Sequence, residues 1–165
     1  MTSADAAGYA GQDGTAGYAG QNRTAGYAGQ DGTAGAAAIA AGIDDMYEAF
    51  LAGDRPRFDG HLHPEVTTWE THLPGPLRTR SQLDSYRDQR DATGQRPRLA
   101  VLAARDKHID VWGEFGVARY VLVAQAHAQG APELTRVTDV LRRAGDRWLI
   151  VHHHAELLRE PEPAP

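Results

Sequence analysis

The sequence predicts an α+β domain in which helices near the start pack on one face of a largely antiparallel sheet. Three observations carry this. An apolar stripe at helical spacing opens at Ile39, a capping-box helix follows at Thr79, and from Leu99 onward β-rich runs alternate with short turns. The patterned part is about 125 residues long, enough for one core and too short for two domains.

The first 35 of the 165 residues stand apart, since they hold nine of the chain's 18 glycines and no Val, Ile, Leu, Phe or Trp. Such a segment cannot bury enough apolar surface to offset the entropy of ordering it. Residues 7–15 (AGYAGQDGT), 16–24 (AGYAGQNRT) and 25–33 (AGYAGQDGT) repeat with a period of nine. Calcium-binding repeats of this length carry a large apolar residue and several acids per turn, and these copies do not. The expected organisation is a disordered Gly/Ala spacer over 1–35, one domain over 36–158, and a loose end over 159–165 containing Pro161 and Pro163. Tyr9, Tyr18 and Tyr27 are evenly spaced enough to serve as partner contacts.

Ile39, Ile43, Met46, Tyr47 and Phe50 form the stripe of a first amphipathic helix, with Asp44, Asp45 and Glu48 off it and Gly53 as the stop. Asp54 and Pro56 start a short second helix expected to carry Phe58 and Leu62, with His61 and His63 near its end. Val66–Thr71, β-branched around Trp69, reads as a strand closed by Pro74-Gly75-Pro76. Thr79 to Gln82 fits a capping box, with Leu83, Tyr86 and Arg90 behind it and Gly94 at the end. Leu99–Ala104, Lys107–Trp112, Val117–Ala126, Thr135–Arg143 and Trp148–Leu157 read as five further strands. The intervening turns fall at Arg105-Asp106, Gly113–Gly116, Gly130-Ala131-Pro132 and Gly145-Asp146.

Composition excludes several functions. With no cysteine, disulfides, thiol nucleophiles, iron–sulfur clusters and Cys-ligated zinc are ruled out. No apolar run is long enough to cross a bilayer, and residues 1–12 lack the basic start and apolar stretch of a signal peptide, so a cytoplasmic location is expected. A net charge of −5 gives no electrostatic footprint for nucleic acid.

AFLAGD (49–54), LHPEVTTWET (62–71) and TRVTDVLRRAGDRWLIVHHHAELL (135–158), in this order of elements, resemble the NTF2-like superfamily in its SnoaL-like or DUF4440-type branch. The resemblance covers residues 38–158. It implies a cone, with a curved sheet wrapped around helices over an apolar pocket, and a homodimer formed through the outer face of the sheet. Ketosteroid isomerases, polyketide cyclases, dehydratases, epoxide hydrolases and non-catalytic modules share this fold, so function must be argued from the site.

Glu70 in VTTWE resembles the position of the general base of ketosteroid isomerases, where an Asp stands. A carboxylate in an apolar pocket is biased toward its neutral form, which suits proton shuttling beside a carbonyl. Asp139, flanked by Val137, Val140 and Leu141, needs a reason to sit among apolar neighbours. It resembles the buried Asp of those isomerases that donates a hydrogen bond to an oxyanion. An ion pair with Arg136 or Arg119 would equally explain it. The isomerase helix tyrosine aligns near Met46, leaving Tyr47 one residue off. Strand alternation puts His152 and His154 with Trp148 and Ile150, and His153 with Leu149, Val151 and Ala155. Two same-face histidines with a third ligand from His127, Asp139 or Glu70 make a weak metal site, so no metal is expected.

The expected site has Glu70 as base, Asp139 as hydrogen-bond donor or second acid and His154 as orienting group. Tyr47, Trp69, Tyr86, Trp112, His152 and His153 are expected around the ligand, with the tryptophans as core or pocket wall, Trp148 structural, and His72 able to bond Glu70. The function expected is cofactor-free acid/base chemistry, of isomerase, cyclase or dehydratase type, on a small apolar polyketide-like metabolite. The Ala-, Gly- and Arg-rich composition further suggests bacterial secondary metabolism. The alternatives are a ligand-binding or dimerisation domain without catalysis, and an epoxide or ester hydrolase.

Overall fold

The computed structural model describes residues 30–158. The expectations for the repeats before Gln30 and for the end after Leu158 lie outside that range.

Helix α1 runs from Gln30 to Ala52, so residues 30–35, expected in the spacer, are its first turns. Small residues allow this start to lie close on the sheet: a Cβ on Gly35 would come within 3.3 Å of the Trp148 ring. Ile39, Ile43, Met46 and Tyr47 of the expected stripe are buried in the core together with Ala49, while Phe50 is partly buried against it. Gly53 ends the helix at φ +73, where a side chain would be strained, and the Asp54 N–H donates to the Ala49 carbonyl at 2.9 Å.

Helix α2 (Arg55–Asp59) is capped by Asp54, whose carboxylate accepts from the Arg57 N–H at 3.0 Å. It stops short of Leu62, contrary to the sequence expectation. Pro64 restricts His63 to extended backbone, and the chain enters strand β1 (Leu62–Trp69) at Leu62. His61 therefore sits in the turn before β1 and His63 within it. A proline is tolerated there because β1 is an edge strand. Glu70 is the first residue beyond β1, and the chain turns back so that Leu77 bridges Thr68. Helix α3 (Arg80–Ala92) begins at the expected cap: Thr79 Oγ1 accepts from the Gln82 N–H at 3.2 Å. The Gln82 side chain accepts from the Arg78 N–H at 2.7 Å, one residue earlier than a standard capping box.

Four long strands follow: β2 (Val101–Trp112), β3 (Phe115–Gln125), β4 (Glu133–Ala144) and β5 (Arg147–Leu157). The sheet order is β1-β5-β4-β3-β2, with β1 and β5 parallel and the other pairs antiparallel. The two strands expected on either side of Arg105-Asp106 are one strand. The expected turn is an irregularity in the β2–β3 register between Arg105 and His108, with Asp106 at φ 53. Asp tolerates that conformation better than most residues, so the break in the sequence pattern is a bulge.

One sheet face packs on α1 through Leu102, Ala118, Tyr120, Val137, Leu141, Ile150 and Ala155. Gly116 marks the closest approach: a Cβ there would stand 2.7 Å from Ile39 Cδ1. Trp148 packs against this core, as expected. Trp69 and Trp112 do not. They are 44% and 56% exposed because their strand positions turn them to the outer face of the sheet. A second irregularity, in β5, matters for the site. Val140 pairs with His152 while Leu141 pairs with Ile150, so Val151 is left over as a bulge. Beyond it the alternation is shifted by one, and Ile150 and His153 face the same side.

Candidate functional site

Between α1, α3 and the inner sheet face lies a cavity of about 450 Å³, the size of an ordinary small-molecule site. Its wall is mostly aliphatic and aromatic, from Met46, Phe50, Leu62, Leu83, Leu102 and Leu122 among others. The polar groups that interrupt it include Tyr47, Thr68, Glu70, His72, Tyr86 and His153. A smaller hollow of about 200 Å³ lies toward Arg147 and Trp148 and contains none of the expected site residues.

One row across the sheet builds the polar cluster. Thr68 of β1 pairs with His153 of β5, His153 with Asp139 of β4, and Asp139 with Ala118 of β3. Asp139 is fully buried, and the small Ala118 beside it is too. His153 Nδ1–H donates to Asp139 Oδ1 at 2.6 Å, and the Tyr120 hydroxyl donates to Asp139 Oδ2 at 2.7 Å. Tyr120 has one proton, so the 2.8 Å contact with Tyr47 requires the Tyr47 hydroxyl to donate to Tyr120. The chain of donors thus runs from Tyr47 through Tyr120 to Asp139, with His153 donating from the other side.

The far nitrogen of His153, Nε2, lies 3.6 Å from Glu70 Oε1, which also accepts from Thr68 Oγ1 at 3.3 Å. Burial alone would lower the His153 pKa, but the negative charges of Asp139 and Glu70, with the Asp139 hydrogen bond, outweigh it and raise it to about 9. His153 is therefore an imidazolium at neutral pH, with an Nε2–H at the cavity wall. Burial next to acidic neighbours also holds Tyr47 and Tyr120 well above the ordinary phenol range, so both stay protonated donors.

Several expected residues take other places. Asp139 does not line the cavity; it stands behind His153 and accepts hydrogen bonds, because both its oxygens already face donors. Arg136 and Arg119, its possible ion-pair partners, pair instead with Glu156 and Asp110 on the outer face. His154 also lies on that face, its ring 5.7 Å from that of Trp69. His152 shares it, with Nδ1 2.7 Å from Thr67 Oγ1, and burial beside His153 and His154 lowers its pKa. The Val151 bulge is the reason His153, and not His154, joins Glu70. Tyr47 and Met46 both line the cavity, so the one-residue offset leaves the hydroxyl inside. Tyr86 lines it too, and its hydroxyl bonds His72 Nε2, whereas the sequence pointed to a bond between His72 and Glu70.

Tyr120 is the residue that sequence reasoning missed. It alternates with Ala118 and Leu122 toward the core, and a buried tyrosine hydroxyl needs a partner, so the signal was present in strand parity. Among the described residues, no three His, Asp or Glu side chains are placed to hold a metal ion, and no helix is long and apolar enough to cross a membrane.

Known structures share this arrangement of helices and sheet. An NTF2-like protein of unknown function from Pseudomonas putida KT2440 superposes with a TM-score of 0.67 at 16% identity, over 79% of this chain and 91% of that one. A candidate dehydratase of the NTF2-like family from Streptomyces avermitilis gives 0.60 at 19% identity, over 78% and 99%. A candidate ketosteroid isomerase from Parabacteroides distasonis ATCC 8503 gives 0.59 at 19% identity, over 71% and 85%. No curated protein matches the chain by sequence. The sequence model of the SnoaL-like domain matches residues 39–158, which span all the strands and every site residue named above. The chain therefore belongs to the SnoaL-like domain family, and its fold is like that of NTF2-like proteins.

Proposed function

We propose that this protein is an acid/base enzyme of isomerase, cyclase or dehydratase type, acting without a cofactor on a small, largely apolar molecule with a carbonyl group, of polyketide type. The observation that carries this reading is the His153–Asp139 pair facing Glu70 at the wall of an apolar cavity. His153 is the acid: its Nε2–H meets a ligand oxygen and stabilises the negative charge that develops there. Glu70 is the base that takes a proton from the adjacent carbon. Asp139 is a positioning residue; it fixes the imidazole through Nδ1 and keeps it protonated. Tyr120 and Tyr47 in turn orient Asp139. At 3.6 Å, Nε2 and Oε1 are close enough for one carbonyl and its neighbouring carbon to meet both. The dehydratase and isomerase assignments of the structural neighbours are consistent with such chemistry.

The test is solvent exchange. The protein is expected to speed deuterium incorporation alpha to the carbonyl of a bound cyclic ketone, and Glu70→Gln is expected to reduce that rate by roughly 10²–10⁴-fold. Tight ketone binding with no exchange in either protein would favour a binding module instead. We further infer a homodimer through the outer sheet face, where Trp69, Trp112, Phe115 and Leu134 are exposed. A sedimentation experiment that finds only monomer at micromolar concentration would remove it.

A further inference from the structure

The inner face of α3 brings two cations to a cavity that is otherwise mainly apolar. Leu83, Tyr86, Arg87 and Arg90 recur at helical spacing, and all four line the cavity. Arg87 and Arg90 also line a small adjoining cleft with Arg55 and Arg96, and Phe50 and Phe58 belong to both hollows. Guanidinium groups at an apolar wall need a reason.

Their partners account for only part of their hydrogen-bonding capacity. Arg87 lies 5.1 Å from the centre of the Phe58 ring, and its Nη1 donates to Asp59 Oδ1 at 2.6 Å. Arg96 lies 5.4 Å from the centre of the Phe50 ring and donates from Nη2 to the Phe50 carbonyl at 3.2 Å. Among the described residues no carboxylate lies within 4 Å of the Arg96 guanidinium. Arg90 directs Nε and Nη2 to a single oxygen of Asp91, at 3.1 and 2.9 Å. A guanidinium has five N–H donors, so Arg90 and Arg96 both retain donors. The acids on the cleft wall are Asp54 and Asp91, and Asp54 already caps α2. The cleft holds about 20 Å³, against roughly 10–15 Å³ needed for one water-sized group. It suits one end of a carboxylate, with the rest of the molecule in the cavity.

We propose that the ligand is an apolar carboxylate, its carboxyl group held by Arg90 and Arg96 and its body lying in the cavity toward His153 and Glu70. The fork of a guanidinium matches a carboxylate geometrically, and the Phe50 ring behind Arg96 shields one side of the contact from water. This inference rests on the cavity reading above but not on turnover there.

The test compares 2-naphthylacetate with 2-naphthylacetamide, which has the same shape without the charge, by calorimetry on the full chain at low salt. The carboxylate is expected to bind about tenfold tighter or more, and the preference is expected to shrink as salt is added. In Arg90→Met/Arg96→Met the carboxylate should fall to the affinity of the amide, with the amide unchanged. Arg90→Met alone provides a milder variant, since its partner Asp91 is near the surface and no buried pair is broken. It should lose part of the preference. Equal binding of the two probes to the wild type, or a preference that survives the double substitution, would overturn the carboxylate site while leaving the Glu70 exchange test intact. Binding of neither probe would overturn it along with the cavity as a ligand site.

Discussion

Asp139→Asn is expected to lower the deuterium-exchange rate on the order of 10³-fold while leaving ketone affinity within a few-fold of wild type. The substitution keeps the shape and removes the charge. An amide cannot accept from both Tyr120 and His153 through two oxygens, as the carboxylate does at 2.7 and 2.6 Å. Its oxygen can accept from Tyr120, but its N–H group then faces His153 Nδ1, which must give up its proton to accept that bond. His153 also loses the larger of the two charges that hold its proton against burial. It then becomes a neutral imidazole, a far weaker acid at Nε2 than the imidazolium. The same change is expected to cost about 3 kcal/mol of stability by urea denaturation, the low end for breaking a buried charged pair, since the histidine can lose its proton and leave no unpaired charge. An exchange rate within threefold of wild type would exclude the role assigned to Asp139.

The second large effect is a pH dependence of stability whose sign follows from His153. Its imidazole titrates near 6.5 in an unfolded chain and near 9 in the folded one, so the folded state binds the proton more tightly. The stabilisation is complete below about pH 6.5 and is lost as pH rises through 9. It is on the order of 3 kcal/mol. His152 acts oppositely, because burial lowers its pKa and protonation in the unfolded chain then favours unfolding below about 6.5. Asp45, lowered to about 2 chiefly by its hydrogen bond to Arg57, with His61 also contributing, adds stability above about pH 4 that is lost on further acidification. The urea midpoint should therefore peak near pH 6 and fall steadily toward pH 9. A midpoint flat between pH 6.5 and 9 would contradict the His153 assignment.

The fold was legible because its signals are local. The Ile39–Phe50 stripe, the Thr79 cap, the Gly53 stop and the alternation of β3 and β4 each specify an element without reference to distant residues. The failures have a common physical origin in the bulges. Arg105-Asp106 has turn chemistry, yet the flanking residues keep pairing with β3, and that pairing absorbs the irregularity. Val151 has no turn chemistry at all. It is a β-branched residue in a histidine-rich strand, and only the register against β4 reveals it as extra. Because of that one residue, parity put His153 apart from Ile150, and His154 was expected where His153 stands. Asp139 was legible as a buried acid, since a charge among valines requires partners, but which partners depended on the row across three strands. Trp69 and Trp112 were misplaced because size favours burial, whereas strand parity turned them outward. On α3, Arg90 was legible only as a position at helical spacing with Leu83 and Tyr86, and only the cavity behind it gives it another meaning.

Asp139 holds His153 as an imidazolium at the wall of an apolar cavity. An NMR titration of the histidine ring carbons, with His153 assigned by its loss in His153→Gln, measures this directly. A midpoint near 9 is expected in the wild type, falling below 6.5 in Asp139→Asn. A wild-type midpoint at the ordinary histidine value, unchanged by Asp139→Asn, would contradict it.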